Sequence, residues 1–296
     1  MNSSGGVSTS LETIGITIKN GLCYWDSPNA IPESLVSEIR KYLEANESVE
    51  PLKNFWMWLQ LNPSSTSRQS LFDFIKHNNV ELTPNGMLIT YRNMKFKCFE
   101  SYTELKSLLN SAFKSLSQSQ SALINIKGET IRAQDFVNNP EQYVPIIMTD
   151  EYSKTMNYRI GQIARIDRSL CNPDPYTTCG AGLHVGSQEF LASGYFGDEG
   201  LSVVCLVNPM HVVACAHNEY GKLRVCEFKP IQFAPNEGRV DTRFINRESI
   251  DYYAECEEDV LEQADDWDIH TIPQLVKETV NIEEKPVTKS WTSHHT

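Results

Sequence analysis

The chain has 296 residues, 40% of them hydrophobic and 22% charged, enough for one large buried core or two modest ones. No apolar run approaches the roughly 20 residues that span a bilayer, and the opening MNSSGGVSTS lacks the basic flank and apolar stretch of an export signal. The formal net charge is −12, yet residues 245–296 hold 13 Asp plus Glu against four Lys plus Arg, leaving 25 acids and 22 bases in the body. Neither part offers the basic field that nucleic-acid binding requires, so no nucleic-acid partner is expected.

The polar, Gly- and Ser-rich residues 1–10 read as disordered. TIGITIKNGLCYWDS then alternates apolar and polar residues about Asn20-Gly21, the signature of a type I′ hairpin. Pro32 opens a helix with Leu35, Val36, Ile39 and Leu43 on one face. A second helix carries Leu52, Phe55, Trp56 and Leu59, with Trp56 and Trp58 expected as core and rim. A third buries Leu71, Phe74 and Ile75 and stops at Asn78-Asn79. VELT, the turn Pro84-Asn85-Gly86 and MLITYR predict a second hairpin, and a Ser-rich amphipathic helix follows by about Gln120. A strand pair is expected about Lys127-Gly128.

From Tyr158 the pattern turns to β: YRIGQIARI, the GLHV segment with a helix behind it, LSVVCLVNP, HVVACA and KLRVCEFKPIQF. A turn is expected at Asn218–Gly221. The eight cysteines, at 23, 98, 171, 179, 205, 215, 226 and 256, form no CxxC pair and read as reduced thiols, with Cys205, Cys215 and Cys226 buried as small hydrophobes. The expected class is α+β, with an amino-terminal hairpin and helices and a carboxy-terminal mixed or antiparallel sheet. The expected segments are a hairpin-helical domain at 11–95, an insertion at 96–157, a sheet domain at 158–236 and an acidic tail at 237–296.

NPSSTSRQSLFDFIKHNNVELTPNGMLITYRNM (62–94) resembles the helix-plus-hairpin segment of the rIIB proteins of T-even-type bacteriophages. So does TCGAGLHVGSQEF, preceded by GQIARIDR and followed by VVCLVNPMHVVACAHNEYGKLRVCEF, and the first hairpin and WLQLNP are similar too. The likeness covers about residues 14–95 and 158–235; the stretch 96–157 and the acidic tail stand outside it. It implies a phage protein that acts with an rIIA-like partner, protects infection from host or prophage exclusion and early lysis, and associates with the host inner membrane from the cytoplasm. No catalytic residue is established for the family, so none is carried over and no cofactor is expected.

Three readings compete for CGAGLHV. In the structural one, Cys179, Gly180 and Gly182 form a tight bend, Leu183 and Val185 enter the core, and His184 hydrogen-bonds on the other face. In an enzymatic one, the order of the TYR, GLHVGS and LRVCEF strands resembles the ADP-ribosyltransferase layout. Tyr91 and Arg92, His184 or Ser187, and Glu227 would then surround a nicotinamide, with Glu227 holding a ribose hydroxyl. Asn93-Met94 replaces the Gly-Thr usual on the first strand, and His184 replaces the usual Tyr on the second. A third reading would gather Cys171, Cys179, His184 and Cys226 on a metal, but the spacing is irregular and no metal site is expected. His211 reads as a surface histidine. The acidic tail reads as a solvated face, or alternatively as a docking segment for a basic partner.

Overall fold

Asn20 and Gly21 adopt φ of 52° and 79°, the positive pair of a type I′ turn, and join β1 (Ile16–Lys19) to β2 (Leu22–Trp25) as a separate two-stranded sheet. The computed structural model describes residues 11–97, 99–144, 146, 148–149, 156–192, 200–217 and 221–234. Residues 1–10, the acidic tail from 237 and residues 218–220 of the expected turn lie outside the described residues. Three helices follow: α1 (Glu33–Glu44), α2 (Glu50–Gln60) and α3 (Ser65–His77). Their buried stripes contain Leu35, Val36 and Ile39, then Leu52, Phe55, Trp56 and Leu59, then Leu71, Phe74 and Ile75. Ser64 caps α3 by accepting the Ser67 N–H at 3.1 Å.

The second hairpin differs from expectation. Its turn forms, pinned by Trp58 Nε1 and Asn54 Nδ2 donating to Asn85 O and Pro84 O, each at 3.0 Å. Trp58 is therefore buried with Trp56 instead of lying at the rim. The first arm, however, is no strand and reaches only the bridge Leu82↔Leu88. The other arm, β3 (Leu88–Phe96), finds its partners much later in the chain.

The 96–157 stretch supplies α4 (Phe99–Gln118), the hairpin β4 (Leu123–Ile126) to β5 (Glu129–Arg132), α5 (Ala133–Asn138) and β6 (Met148–Thr149). β7 (Asn157–Tyr158), β8 (Ala164–Arg165), β9 (Leu183–Gly186), α6 (Gln188–Ala192), β10 (Leu201–Val207), β11 (Val212–Cys215), β12 (Lys222–Val225) and β13 (Glu227–Phe233) complete the elements described. One sheet runs β11-β12-β9-β3-β10-β13-β8, with β6 pairing β3 and β7. Every recorded pairing is antiparallel.

β3 is the centre of this sheet, pairing β10 from Leu88↔Val207 to Met94↔Leu201 and β9 at Tyr91↔Gly186. The strand that ends segment 11–95 is thus enclosed by strands of segment 158–236, and the two share a core. Leu105, Leu109, Phe136 and Met148 of the intervening stretch enter the same core.

Only Cys226 separates β12 from β13. In a flat sheet the three strands between them would hold these two about 19 Å apart, at about 4.8 Å per strand. The path must therefore curl until β12 and β13 meet at Cys226.

Candidate functional site

Along β12, Lys222 and Arg224 point to one face, as alternation requires, and both are buried, at 5% and 3% exposure. A buried cation is costly unless its donors are satisfied. Arg224 Nη1 donates to Asn172 O at 2.6 Å and Asp174 O at 3.1 Å, its Nη2 donates to Thr177 O, and Lys222 Nζ reaches Thr178 O at 3.1 Å. The loop 172–178 is thereby clasped over the sheet. Within it Asp174 accepts from the Thr177 hydroxyl and the Tyr176 N–H, and these bonds hold its carboxyl below the usual range.

This clasp explains the glycines. A Cβ on Gly182 would stand 2.6 Å from Arg224 Cγ, and one on Gly180 would stand 2.8 Å from Arg224 Nη2. Gly182 also adopts φ +140°, which side chains rarely take. Gly180 and Gly182 leave room for the arginine side chain to pass. Cys179, beside Gly180, is exposed.

His184 lies opposite Arg224 in the β9–β12 register. Burial, then the charges of Lys222, Arg92 and Arg224, push its pKa down to about 3, so the ring is neutral. Its Nε2 has no hydrogen-bond partner among the described residues, contrary to the expectation for this face. Arg92 donates to His184 O and lies over the rings of Tyr158 and Phe228, at 5.3 and 5.5 Å from their centroids.

The five candidate residues do not form one cluster. The three strands share one sheet, but Tyr91 and Arg92 are consecutive on β3 and face opposite ways. Tyr91 and Ser187 line a cleft with Asn79, Val80, Glu81 and Ile89, while Arg92, on the other face of β3, meets His184 at its backbone carbonyl. Ser187 Oγ is used locally, accepting the Phe190 N–H at 3.2 Å. Glu227 precedes Phe228, whose ring faces Arg92, so its carboxylate points away from Arg92.

Glu227 is fully buried, at 0% exposure, ion-paired to Arg165 and 3.3 Å from His211 Nε2. His211, expected at the surface, has a side chain only 15% exposed because the curl brings it against Glu227. Behind them Asn62, also at 0% exposure, makes four bonds. Its Nδ2 donates to Pro209 O at 2.8 Å and Val212 O at 2.7 Å, and its Oδ1 accepts from Ser64 N and Arg168 Nη2, each at 2.9 Å. Arg168 adds bonds to Met210 O at 3.0 Å and Val212 O at 2.8 Å. The segments of Asn62, Arg165, Arg168, His211 and Cys226 carry the family likeness, but no motif gives them a role. His211 was expected at the surface and Cys226 as a small buried hydrophobe, and only the curl of the sheet brings them together.

Among the described residues no group of three His, Cys, Asp or Glu is placed to hold a metal ion, and no helix is long and apolar enough to cross a membrane. No protein-family profile matches the chain, and no solved structure matches it. Over 220 residues the chain is 22% identical to protein rIIB of Enterobacteria phage T4, across 73% of this chain and 53% of that protein. The chain thus spans about half the length of the curated relative it matches. This distant homology indicates an rIIB-like relationship.

Proposed function

We propose that the chain is a phage accessory protein of rIIB type that works by docking. It acts with an rIIA-like partner, in the host cytoplasm or against the inner face of the host membrane, to protect infection from host or prophage exclusion and early lysis. The observation that carries this reading is the 22% identity sustained over 220 residues. The geometry is compatible with it, because the residues that suggested catalysis are engaged in holding the fold. Glu227 is buried and ion-paired, Arg92 is occupied by two rings and a carbonyl, and Gly180 and Gly182 make room for Arg224.

Deleting the reading frame from its phage tests the role. Plating should fall on a host carrying an exclusion system and stay unchanged on a permissive one, and the protein should co-purify with an rIIA-like product during infection. Equal plating on both hosts with unchanged lysis timing would overturn the reading. NAD binding by the purified chain in a calorimeter would favour the transferase alternative.

A further inference from the structure

Cys226 lies where the sheet curls, beside His211, with Cys226 N–H donating to His211 O at 3.0 Å. The Cys226 Sγ is 3.7 Å from His211 Nδ1 and 3.9 Å from Arg168 Nη1. On the other side of the same ring, Nε2 is 3.3 Å from Glu227 Oε1. Thiol, imidazole and carboxylate therefore stand in series, a base within reach of a nucleophile and a third group orienting the base. The neighbouring guanidinium offers a positive charge to a thiolate formed there.

A second thiol is adjacent. Cys171 packs with Cys226 and Val213 in a small buried cluster apart from the main core. Its Sγ is 4.0 Å from Val225 O, the carbonyl bonded to the nitrogen of Cys226. Burial first, then proximity to Cys226, pushes the Cys171 thiol up to about 11. The two sulfurs are thus unequal: one faces a base and a cation, the other is held protonated.

We propose that Cys226 is a nucleophilic thiol that accepts a low-molecular-weight disulfide, and that Cys171 resolves the adduct. His211 Nδ1 takes the Cys226 proton. The thiolate attacks one sulfur of RSSR, that S–S bond breaks, and the departing RS⁻ takes the proton from His211. Cys171 then loses its proton and attacks the Cys226 sulfur, expelling a second RS⁻ that takes that proton. Two protein thiols are oxidised to a Cys171–Cys226 disulfide, and RSSR is reduced to two RSH. Cys226 is only 5% exposed, so a protein disulfide is sterically barred from it and the reagent must be small.

The test uses the full chain, oxidised glutathione at neutral pH, and peptide mapping by mass spectrometry. The wild type should end as a Cys171–Cys226 cross-link, whereas Cys171→Ser should stop at a glutathione adduct on Cys226. His211→Gln should slow adduct formation at Cys226 by about a hundredfold, the lower end of what a positioned base contributes. Exposed Cys179 should react at one rate in every variant and so report the reagent and the fold. If His211→Gln fails to fold, the wild-type rates decide: modification of buried Cys226 at least as fast as that of exposed Cys179 supports the proposal, and slower modification of Cys226 overturns it. Adducts confined to Cys179, a cross-link lacking Cys226, or a rate indifferent to His211→Gln would also overturn it.

Discussion

Replacing Gly182 with alanine tests the clasp most directly. The new Cβ would stand 2.6 Å from Arg224 Cγ and 2.8 Å from Cδ, which is the stem of the side chain and not its movable tip. The backbone, at φ +140°, adds strain of about 1–3 kcal/mol. If the stem is displaced, Asn172 O, Asp174 O and Thr177 O lose a charged donor, each such bond contributing about 1.5–3 kcal/mol before water refills the exposed loop. A net loss of about 3–5 kcal/mol is expected by urea denaturation followed by tryptophan fluorescence. Gly21→Ala is the control. It shares a positive φ, +79°, but has nothing within 4 Å of the added Cβ, and should cost about 1–2 kcal/mol. In an Arg224→Ala background, Gly182→Ala should cost only the backbone strain. Equal costs in both backgrounds would refute the steric account, and a cost near that of Gly21→Ala would refute the clasp.

The remaining predictions concern the buried polar groups. The folded pKa of His184, about 3, lies below its unfolded value of 6.5, so the unfolded chain binds the extra proton between these values. Its contribution is complete above pH 6.5 and is lost as pH falls toward 3, at up to ~1.4 kcal/mol per unit. Melting temperature should drop from pH 7 to pH 5 in the wild type and less in His184→Gln; equal drops would remove His184 as the cause. Glu227→Gln keeps the shape but removes the charge facing Arg165 and His211, and should cost about 1–3 kcal/mol, since half-exposed Arg165 can turn to water. An undiminished denaturation midpoint would mean the pair does not support the fold. Asn62→Ala removes four buried bonds and should cost about 2–4 kcal/mol; a loss below about 1 kcal/mol would show that the loop and helix it joins are held by other contacts.

What could be read from the sequence was whatever is encoded locally. Asn20-Gly21 and Lys127-Gly128 announce their hairpins because two adjacent residues carry the whole turn, and all four adopt positive φ. The helical stripes of α1 to α3 were legible because a period of 3.6 places Leu35, Ile39, Phe55 and Leu71 inward without reference to any other segment. The TYR, GLHVGS and LRVCEF stretches, read as strands from their patterning, do lie in one sheet. Its interior order was not legible: β3 pairs β10 at residues more than 100 positions away, and nothing local marks Cys226 as the corner of a curl. The separation of Tyr91 from Arg92 is a local matter, since alternation along a strand suffices to put neighbours on opposite faces. The burial of Lys222 and Arg224 could not have been foreseen, because it depends on carbonyls from a loop that reads as irregular.

Glu227 shows how a partner decides the role of a residue. A transferase glutamate must offer its carboxylate to a ribose, so it must lie at a surface and be free to exchange water for substrate. Here the carboxylate is fully buried and ion-paired to Arg165, with His211 3.3 Å away, and displacing it would strand charge in a low-dielectric interior. What such a carboxylate can do is hold the imidazole of His211 in one orientation. The opposite ring nitrogen then faces a sulfur 3.7 Å away. The curl that withdraws Glu227 from the nucleotide reading is the same feature that sets His211 against Cys226. If the oxidised-glutathione experiment finds Cys226 unreactive, Glu227 keeps only its structural role and the transferase reading gains nothing, because the burial that counts against it is independent of the thiol.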